Sequence, residues 1–464
     1  GVYLENYGGN VTLSTGEITS GDGVYLLNEN GEVVVTTDGI STENYTGLSI
    51  NNYGDDSTIE ISVNGDINGD ITEQNQRGIL SLSVVGDVNS LNAIENGNYA
   101  NTEISIDGNL SEGNVSIGGY HHSQVKLSID GDVHSDNNVL YTSVGLRVLS
   151  GDPAWKEDRT NVEVSVNGDI TVSEKAGLQA IVRNKSTADI LVTGTISGDT
   201  HGVDLGNETY DIDGNFIGGS YNNSPQNISL TVWQIELNDA GHAVESVAYQ
   251  LDNENRISTT EALYREKEQE FEQSIMYIIK VEQPSEGATL RATDANGNAL
   301  ERSHDYEVAH EGDTVLMKID IQSGFELYGA YNGLGERVPL LRDTNGNFYV
   351  EVPKGGGVYL SARLGRVNNE PFVENRGDDP APEKPVYRTW TASDNLTMPT
   401  HTVSYDLNGW YFPDGMGTSF TLRRGQRHIM LGIPVRNGYR FRHWVGGCYD
   451  PNNPNWLGTD PDQA

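Results

Sequence analysis

A short motif of alternating apolar and polar residues, closed by a glycine corner, recurs through the first half of this chain. Its copies read VTLSTGEI (11–18), IEISVNGDI (59–67), LSLSVVGDV (80–88), TEISIDGNL (102–110), VKLSIDGDV (125–133), VEVSVNGDI (162–170) and ADILVTGTI (188–196). The closing residues Ile67, Val88, Leu110 and Val133 lie 21, 22 and 23 positions apart. A second short element alternates with the first, as GVYLEN (1–6), GVYLLN (23–28), GLSINN (47–52), AIEN (93–96) and GVDLGN (202–207). A period in the low twenties, built from such short strands, indicates a β-solenoid.

The alternation of side chains explains why the copies must stack. In a β-strand successive side chains point to opposite faces, so Ile61 and Val63 share one face and Ser62 lies on the other. A single copy leaves its apolar face in water, whereas copies stacked ~4.8 Å apart bury continuous ladders of Val, Ile and Leu. We therefore predict an all-β chain whose residues 1–237 form a right-handed parallel β-helix.

Glycine and acidic residues form the corner that closes each copy. The glycines stand where the chain turns, and we expect positive φ angles at Gly65, Gly86, Gly108, Gly131 and Gly168. The next position holds Glu17, Asp66, Asp87, Asn109, Asp132, Asp169 and Thr195. Stacked carboxylates repel one another, which favours either a bound cation or an interruption of the row. Asn109 and Thr195 interrupt the row, so we interpret the motif first as turn chemistry.

A cation site is the alternative interpretation of the corner. Asp107, Asp130 and Asp132 lie on adjacent copies, and carboxylate oxygens are ligands that calcium prefers. However, the repeat lacks the G-G-x-G-x-D pattern of calcium-binding solenoids. The sequence therefore requires no cofactor, and calcium at these three residues stays a hypothesis.

Asparagine and tyrosine recur at fixed offsets after the second element. A ladder of stacked, hydrogen-bonded side chains along the solenoid axis is expected from Asn6, Asn28, Asn52, Asn98 and Asn207. A second offset holds Tyr7, Tyr53, Tyr99 and Tyr120. These tyrosines either pack at the corner or form an exposed aromatic strip on which sugar rings could stack.

A longer interval between Val133 and Ile170 carries the insertion SGDPAWKEDRT (150–160). Trp155, Lys156 and Arg159 on this insertion are candidate ligand-binding residues, because loops on a regular scaffold often carry function. A tolerated insertion without function is the alternative. An outward ladder is expected from Ser62, Ser83, Ser105, Ser128 and Ser165, with no base nearby in the sequence to make a nucleophile.

The second half of the chain has a different pattern. Residues 238–275 are predicted to be a cap or connector with a helix over 259–275, because apolar residues there recur at helical spacing. Residues 276–365 alternate apolar and polar residues between Gly, Pro and Asn-Gly breaks, which predicts an all-antiparallel β-sandwich. Residues 366–400 are rich in Pro, Asn and acids and indicate an extended linker.

Two segments of this half resemble the internalin-B-type repeat. Residues 401–444 contain V-x-Y-D-x-N-G followed by P-x-R-x-G-Y-x-F-x-x-W, which supplies Val403, Tyr405, Asn408, Gly409, Pro434, Gly438, Tyr439, Phe441 and Trp444. The order EGD…GFEL…VPKGGGVYLSA makes residues 276–365 similar to a divergent member. The resemblance implies a small β-grasp module over 401–464, possibly incomplete, of a kind found in surface-anchored, adhesive proteins of Gram-positive bacteria. It implies no catalytic residue.

The composition narrows the class of protein. The formal net charge of −38 repels nucleic acid and anionic membranes, and no apolar run reaches the ~18 residues of a membrane span. The single cysteine, Cys448, excludes an internal disulfide. Together with the predicted β-helix, the resemblance to internalin-B-type repeats implies an extracellular segment of a wall-anchored Gram-positive surface protein, a non-enzymatic adhesin whose partner is a glycan or a surface protein of a host or neighbouring cell.

Two further functions stay open at this point. Many β-helix proteins are polysaccharide lyases or glycoside hydrolases, which need converging carboxylates in one groove or basic residues beside bound calcium. The sequence shows no such set beyond the corner acids, so a polysaccharide-degrading enzyme is the second hypothesis. A structural stalk without a ligand is the third.

Overall fold

The computed structural model describes residues 1–111, 115–135, 146–152, 157–173, 176–182, 185–199, 201–206, 209–210, 216–218, 227–239, 241–245, 250–251, 257–258, 272–367, 372–373, 387–388, 400–404 and 419–423. The chain divides into two compact units, Gly1–Val367 and Asn368–Ala464. The fold is all-β, with a parallel β-solenoid in the N-terminal part and further sheets after it. This confirms the predicted fold class.

The strands of the solenoid follow the repeat closely. Strands β1 to β10 are Val2–Asn6, Asn10–Ser14, Ile18–Ser20, Val24–Asn28, Gly31–Thr37, Ile40–Asn52, Ser57–Val63, Ile67–Asn75, Ile79–Val84 and Val88–Asn96. Strands β11 to β20 are Asn101–Ile106, Val115–Gly119, Gln124–Ile129, Val133–Ser135, Leu146–Ser150, Asn161–Val166, Ile170–Val172, Ala176–Val182, Thr187–Ser197 and His201–Gly206. Strand β5 was not among the predicted copies of the first motif, because it is followed by DGI (38–40) rather than by the usual corner.

The remaining strands are shorter and more varied. Strands β21 to β31 are Thr209–Tyr210, Phe216–Gly218, Ile228–Ile235, Val244–Glu245, Gln250–Leu251, Ile257–Ser258, Met276–Ile278, Lys280–Val281, Ala288–Thr293, Glu301–Ser303 and Tyr306–Ala309. Strands β32 to β41 are Thr314–Ile321, Phe325–Asn332, Val338–Pro339, Leu341–Arg342, Phe348–Glu351, Tyr359–Arg366, Phe372–Val373, Tyr387–Arg388, Thr400–Ser404 and Ser419–Arg423. Residues 272–274 form a helical turn; the rest of the predicted helix, 259–271, lies outside the described residues.

Two parallel sheets form the main faces of the solenoid. Sheet A has the order β1-β4-β6-β8-β10-β12-β15-β18-β20-β24, and sheet B begins β2-β5-β7-β9-β11-β13-β16-β19-β23. A third ladder closes each coil through in-register pairs of Ile18, Ile40, Ile67, Val88, Leu110, Val133, Ile170 and Ile196. Strands adjacent in space are therefore one repeat apart in sequence, as the period predicts.

The core consists of the inward-facing aliphatic ladders. Leu26, Ile59 and Leu110 are fully buried, and burial of each such side chain stabilises the fold by ~1.5–3 kcal/mol. The predicted outward serine ladder is confirmed, since Ser62, Ser83, Ser105, Ser128 and Ser165 pair in register on the outer face of sheet B.

The corner glycines are required for a reason that differs from the expectation. Of the five glycines, Gly86 alone has a positive φ, at 156°. A Cβ on Gly65 would instead lie 2.2 Å from the carbonyl oxygen of Asp38, and one on Gly108 would lie 2.2 Å from that of Gly86. Successive corners stack so closely that the backbone of one copy fills the space of the next side chain. The prediction of positive φ at Gly65, Gly108, Gly131 and Gly168 was therefore wrong.

A second β region continues directly from the solenoid. Strand β27 pairs in parallel with β23 and in antiparallel fashion with β31, so sheet B extends into this region. Two four-stranded sheets follow, with the orders β28-β37-β33-β34 and β29-β32-β36-β35. The expected sandwich was all-antiparallel, but β28 pairs with β37 in parallel.

A glycine loop of the second region pairs with β23 beyond the residues that pair with β27. Ile235 N donates to Gly355 O at 2.7 Å, and Gly357 N donates to Trp233 O at 2.8 Å. An uncovered strand edge would invite pairing with another chain. Residues 355–357 of the second region thus pair with the last part of β23. The cap or connector expected over 238–275 lies largely outside the described residues and stays a prediction.

In the second unit the structure describes two short strand pairs. Strand β38 pairs with β39, and β40 pairs with β41, both antiparallel. Val403 of the internalin-B-like pattern lies in β40. The other eight residues of that pattern lie outside the described residues, so the β-grasp module stays a prediction.

Candidate ligand-binding corner

Three of the four predicted tyrosines share one column at the corner that follows sheet A. The first residue after each strand donates its N–H to the strand-end carbonyl of the previous coil, as Tyr53 N does to Asn28 O at 3.0 Å and Tyr120 N to Asn96 O at 2.8 Å. This column contains Tyr7, Glu29, Tyr53, Gln76, Gly97, Tyr120 and Gly151. The fourth tyrosine, Tyr99, lies two residues beyond the column, where its N–H donates to His121 O at 2.9 Å.

A buried asparagine ladder lies directly beneath this column. Asn6 Nδ2 donates to Asn28 Oδ1 at 3.0 Å, Asn28 to Asn52 at 3.3 Å and Asn52 to Asn75 at 3.2 Å. The ladder then continues through Thr102 to Asn96. Its members thus include Asn75 and Asn96 but not the predicted Asn98, and Asn207 lies outside the described residues. The ladder fixes the backbone from which the corner side chains project.

Two tyrosines that sequence reasoning passed over extend the aromatic surface onto sheet A. The rings of Tyr3 and Tyr25 are stacked, with centroids 4.8 Å apart and planes within 8°, and Tyr3 is 69% exposed. Tyr3 Oη donates to Glu5 Oε1 at 2.6 Å, and Tyr7 Oη donates to Glu5 Oε2 at 3.1 Å. The hydrogen bond to Glu5 raises the pKa of Tyr3 to about 12. Tyrosine is the third residue of both GVYLEN and GVYLLN, and this shared position could have identified the pair from the sequence.

A shallow depression lies next to Tyr53. It has a volume of about 180 Å³ and is lined by Ser49, Ile50, Asn51, Thr72, Glu73, Gln74 and Glu95. Tyr53 Oη lies 3.0 Å from both Asn51 Oδ1 and Gln74 Oε1, and Gln74 Nε2 donates to Glu95 Oε2 at 3.4 Å. These bonds hold the polar side chains in place before any ligand arrives. We call this site the Tyr53 depression.

Tyr120 connects the Tyr53 depression to the next part of the corner. Its ring lies against Gly97, where an added Cβ would come within 2.3 Å of Tyr120 Cε2, and it contacts the ring of His121 edge-on, with centroids 5.2 Å apart. Burial raises the pKa of Tyr120, and Glu95, Glu73, Asp152 and Tyr53 add to the shift. The tyrosines of the column thus alternate with Glu29, Gln76 and Gly97, and Tyr120 leads on to His121.

The next corner contains backbone strain at residues other than glycine. Asn98, Tyr99, His121 and His122 have φ angles of 51°, 70°, 54° and 66°. Side chains other than glycine cost of order 1–3 kcal/mol in such conformations, which cluster at functional sites. The Tyr99 and His122 rings stack with centroids 5.2 Å apart, and Tyr99 is 71% exposed.

A fully buried carboxylate holds this strained corner in place. Asp158 accepts hydrogen bonds from His121 N and His122 N, both at 2.8 Å, and from Asp152 N at 2.7 Å. Burial alone would raise the pKa of Asp158, but the N–H donors of His122, Asp152 and His121 lower it below its ordinary value. His121 Nε2 also lies 2.5 Å from Asp152 Oδ2. No signal in the sequence distinguished Asp158 from the other acids of the insertion.

The insertion is only partly described. Arg159 is exposed, and its backbone N–H donates to His122 Nδ1 at 3.2 Å, so it lies beside Tyr99 and His122. Trp155 and Lys156 lie outside the described residues. The structure therefore brings Arg159, Tyr99 and Tyr120 to one region, while Tyr7 and Tyr53 lie on earlier coils of the same corner.

The acidic corner on the other side of sheet B is explained by backbone hydrogen bonding. Each side chain after the glycine accepts the N–H of the equivalent residue one coil later, with distances of 2.6–2.9 Å from Asp66 through Asp87, Asn109, Asp132 and Asp169 to Thr195. This arrangement agrees with the interpretation as turn chemistry. Asp130 Oδ1 accepts from Asn167 Nδ2 at 2.6 Å, and Asp107 is exposed.

Across the described ranges, no group of three or more His, Cys, Asp or Glu side chains is arranged to hold a metal ion. Calcium at Asp107, Asp130 and Asp132 stays a prediction. Within those same ranges, no helix has the length and hydrophobicity needed to cross a membrane. Comparison of the chain with protein-family models, curated proteins and solved structures found no match.

Proposed function

We propose that the solenoid is a saccharide-binding module of an extracellular adhesin. Its binding face is the aromatic corner, which we define by Tyr3, Tyr7, Tyr25, Tyr53, Tyr99 and Tyr120. The supporting observation is the Tyr53 depression, where the Tyr53 hydroxyl contacts the amides of Asn51 and Gln74, and Gln74 donates to Glu95. The hydroxyl residues Ser49 and Thr72 also line the depression. Sugars combine apolar ring faces with dense hydroxyl groups, so they match a surface that alternates rings with hydrogen-bonding groups.

The size of the depression suits a short portion of a ligand. Its volume of about 180 Å³ is below the roughly 300–1,000 Å³ usual for drug-sized ligands. The tyrosines of neighbouring coils supply further contacts along the corner, and a polymer could occupy several of them at once. Weak contacts joined in this way give useful avidity, which fits adhesion to a glycan-coated surface.

The resemblance of residues 401–444 to an internalin-B-type repeat supports placing the chain at the surface of a Gram-positive cell. A glycan on a host or neighbouring cell is then the proposed partner, and the proposed role is retention rather than turnover. No cofactor is proposed. The rival proposal, a polysaccharide-degrading enzyme, differs in one observable: it releases soluble sugar products.

The test is incubation of the protein with a panel of immobilised polysaccharides, with and without calcium, while retention and product release are recorded. We expect retention on at least one polysaccharide without products, and its loss when Tyr3, Tyr25 and Tyr53 are all changed to Ala. Release of reducing ends would overturn the adhesin proposal. Retention that survives the triple change would exclude Tyr3, Tyr25 and Tyr53, and with them the Tyr53 depression, as the binding face.

A further inference from the structure

The part of the aromatic corner within residues 1–111 is surrounded almost entirely by negative charge. Residues 1–111, all of them described, contain 17 Asp and Glu side chains and one basic side chain, Arg77. Arg77 is already paired with Asp55, with Nη1 3.3 Å from Oδ1. Exposed carboxylates border the tyrosines, at Glu5, Glu29, Asp55, Asp56 and Glu95. An anionic ligand approaching Tyr3, Tyr7, Tyr25 or Tyr53 therefore meets like charge on every coil.

The tyrosine hydroxyls of this surface already donate their protons to neighbouring oxygen atoms. The hydroxyl protons of Tyr3 and Tyr7 are donated to Glu5, and that of Tyr53 is donated to Asn51 or Gln74. The phenolic oxygens keep lone pairs that can accept, while their donors are already used. Tyr7 also has a raised pKa because of its hydrogen bond to Glu5, so it stays neutral. The tyrosine oxygens and carboxylates therefore offer acceptors and negative charge to a ligand, beside the amide of Asn51 and the hydroxyls of Ser49 and Thr72, which can also donate.

We propose that the Tyr53 depression selects saccharides by charge and that its ligands carry amino groups rather than carboxylates or sulfates. This inference rests on the proposed saccharide binding. An ammonium group would accept no hydrogen bond and would donate to Glu95 and to the amide oxygens, and it would also be attracted to the tyrosine faces. An N-acetylated sugar keeps the ring contacts but loses the charge. A uronic acid adds a carboxylate beside Glu95.

Calorimetry with three matched sets of short oligosaccharides tests the inference. The sets are glucosamine oligomers, the same oligomers after N-acetylation, and galacturonic acid oligomers, all at a pH that keeps the amine protonated. We expect the amine form to bind about tenfold more tightly than the acetylated form, with the difference shrinking as salt is added. The uronic acid form should show no binding.

Single substitutions show whether the amine oligomers bind at the Tyr53 depression or are attracted to the acidic protein as a whole. Glu95→Gln should reduce the preference for the amine several-fold, whereas Glu60→Gln removes the same charge from the outer face of sheet B and should leave it intact. Tyr53→Ala keeps every charge and should abolish binding of both the amine and the acetylated forms.

The outcomes distinguish this inference from the proposed function. Equal or tighter binding of the uronic acid oligomers would overturn the charge preference and leave saccharide binding standing. Unchanged amine binding in Tyr53→Ala would also overturn it, because the attraction would then belong to the whole acidic chain. Absence of binding by all three sets, together with no retention on the polysaccharide panel, would overturn both proposals.

Discussion

Glu73 lies inside the solenoid, where its Oε2 accepts a hydrogen bond from Asn96 Nδ2 at 3.3 Å. It is 1% exposed, and its neighbours in register are Ile50 and Ile94, so it interrupts an aliphatic ladder. Within the described part of the chain, its Oε1 has no hydrogen-bond partner. Burial raises the pKa of Glu73 well above its ordinary value of 4.5; the bond from Asn96 opposes the shift and Glu95 adds to it.

This buried acid makes the stability of the solenoid depend on pH. The folded chain keeps a proton on Glu73 that the unfolded chain releases, so stability falls as pH rises from 4.5 toward the folded-state pKa. Glu73→Gln removes that loss and keeps an acceptor for Asn96. We expect it to raise the free energy of unfolding by on the order of 1–3 kcal/mol at about pH 8 and to change it little at about pH 4.

Chemical denaturation at both pH values measures this effect. Glu60→Gln is the matched control, because Glu60 is exposed on the outer face of β7 and should alter the free energy of unfolding at neither pH. An equal gain from Glu73→Gln at the two pH values would show that Glu73 is ionised in the folded chain.

Glu73 also shows where sequence reasoning fell short. The strand GDITEQN contains alternating polar residues, so Glu73 reads as a surface side chain. Its inward position follows only when residues 70–75 are aligned with GLSINN, which places it opposite Ile50. The period and the strand pairing were predictable because every copy repeats the same apolar alternation. Which polar residues lie inside depends on register, and one position of shift moves a side chain from the surface to the core.

The asparagine ladder gives a second prediction about stability. Asn52 accepts from Asn28 and donates to Asn75 and to the carbonyl of Ile79, and it is fully buried. Asn52→Ala leaves buried amides on both sides without partners, so we expect a loss of ~2–4 kcal/mol in the free energy of unfolding. Asn10→Ala, which removes one exposed bond to Glu32, should cost less than ~0.5 kcal/mol. Similar losses for the two variants in urea denaturation would contradict the role of the ladder.

Asp158 should stabilise the strained corner in a pH-dependent way. Its folded-state pKa lies below the ordinary value of 3.8, so its contribution is present above that pH and is lost as pH falls through the folded-state pKa. Asp158→Asn should therefore lower the free energy of unfolding by ~2–4 kcal/mol near neutral pH, and the deficit should shrink in acid. Glu157→Gln, an exposed partner of Lys185, serves as the control. A deficit that is constant with pH would argue against an ionised Asp158.

The pairing of the glycine loop, residues 355–357, with β23 can be tested by substituting two glycines of similar φ. Gly356 has φ 73° and Gly346 has φ 83°, so alanine costs each about the same backbone strain. At Gly356, however, the new Cβ would lie 2.2 Å from Tyr277 Cδ1, whereas at Gly346 nothing lies within 4 Å. Gly356→Ala should cost a further ~1–3 kcal/mol and speed hydrogen exchange at Ile235 and Gly357. Equal exchange in the two variants would mean that the loop does not protect β23.

The candidate site was less predictable than the fold. The column of Tyr7, Tyr53 and Tyr120 follows from the repeat, because each tyrosine comes directly after a sheet A strand. Tyr99 was assigned to that column by counting, but the turn at Gly97 and Asn98 shifts it onto His122. The polar floor beneath Tyr53 comes from three different copies, Asn51, Gln74 and Glu95, and such a set is recognisable only once the coils are stacked in register. Side chains that meet across repeats leave no local pattern in sequence.

The most direct test of the account compares Tyr53→Ala with Tyr328→Ala in calorimetric titrations against whichever oligosaccharide the wild-type protein retains. Both tyrosines are 37% exposed, but Tyr328 lies on β33 of the second β region. We expect Tyr53→Ala to weaken binding at least tenfold and Tyr328→Ala to leave it within about twofold, since loss of one central aromatic contact costs more than ~1 kcal/mol. Equal affinities for the two variants would contradict the assignment of the aromatic corner as the binding face.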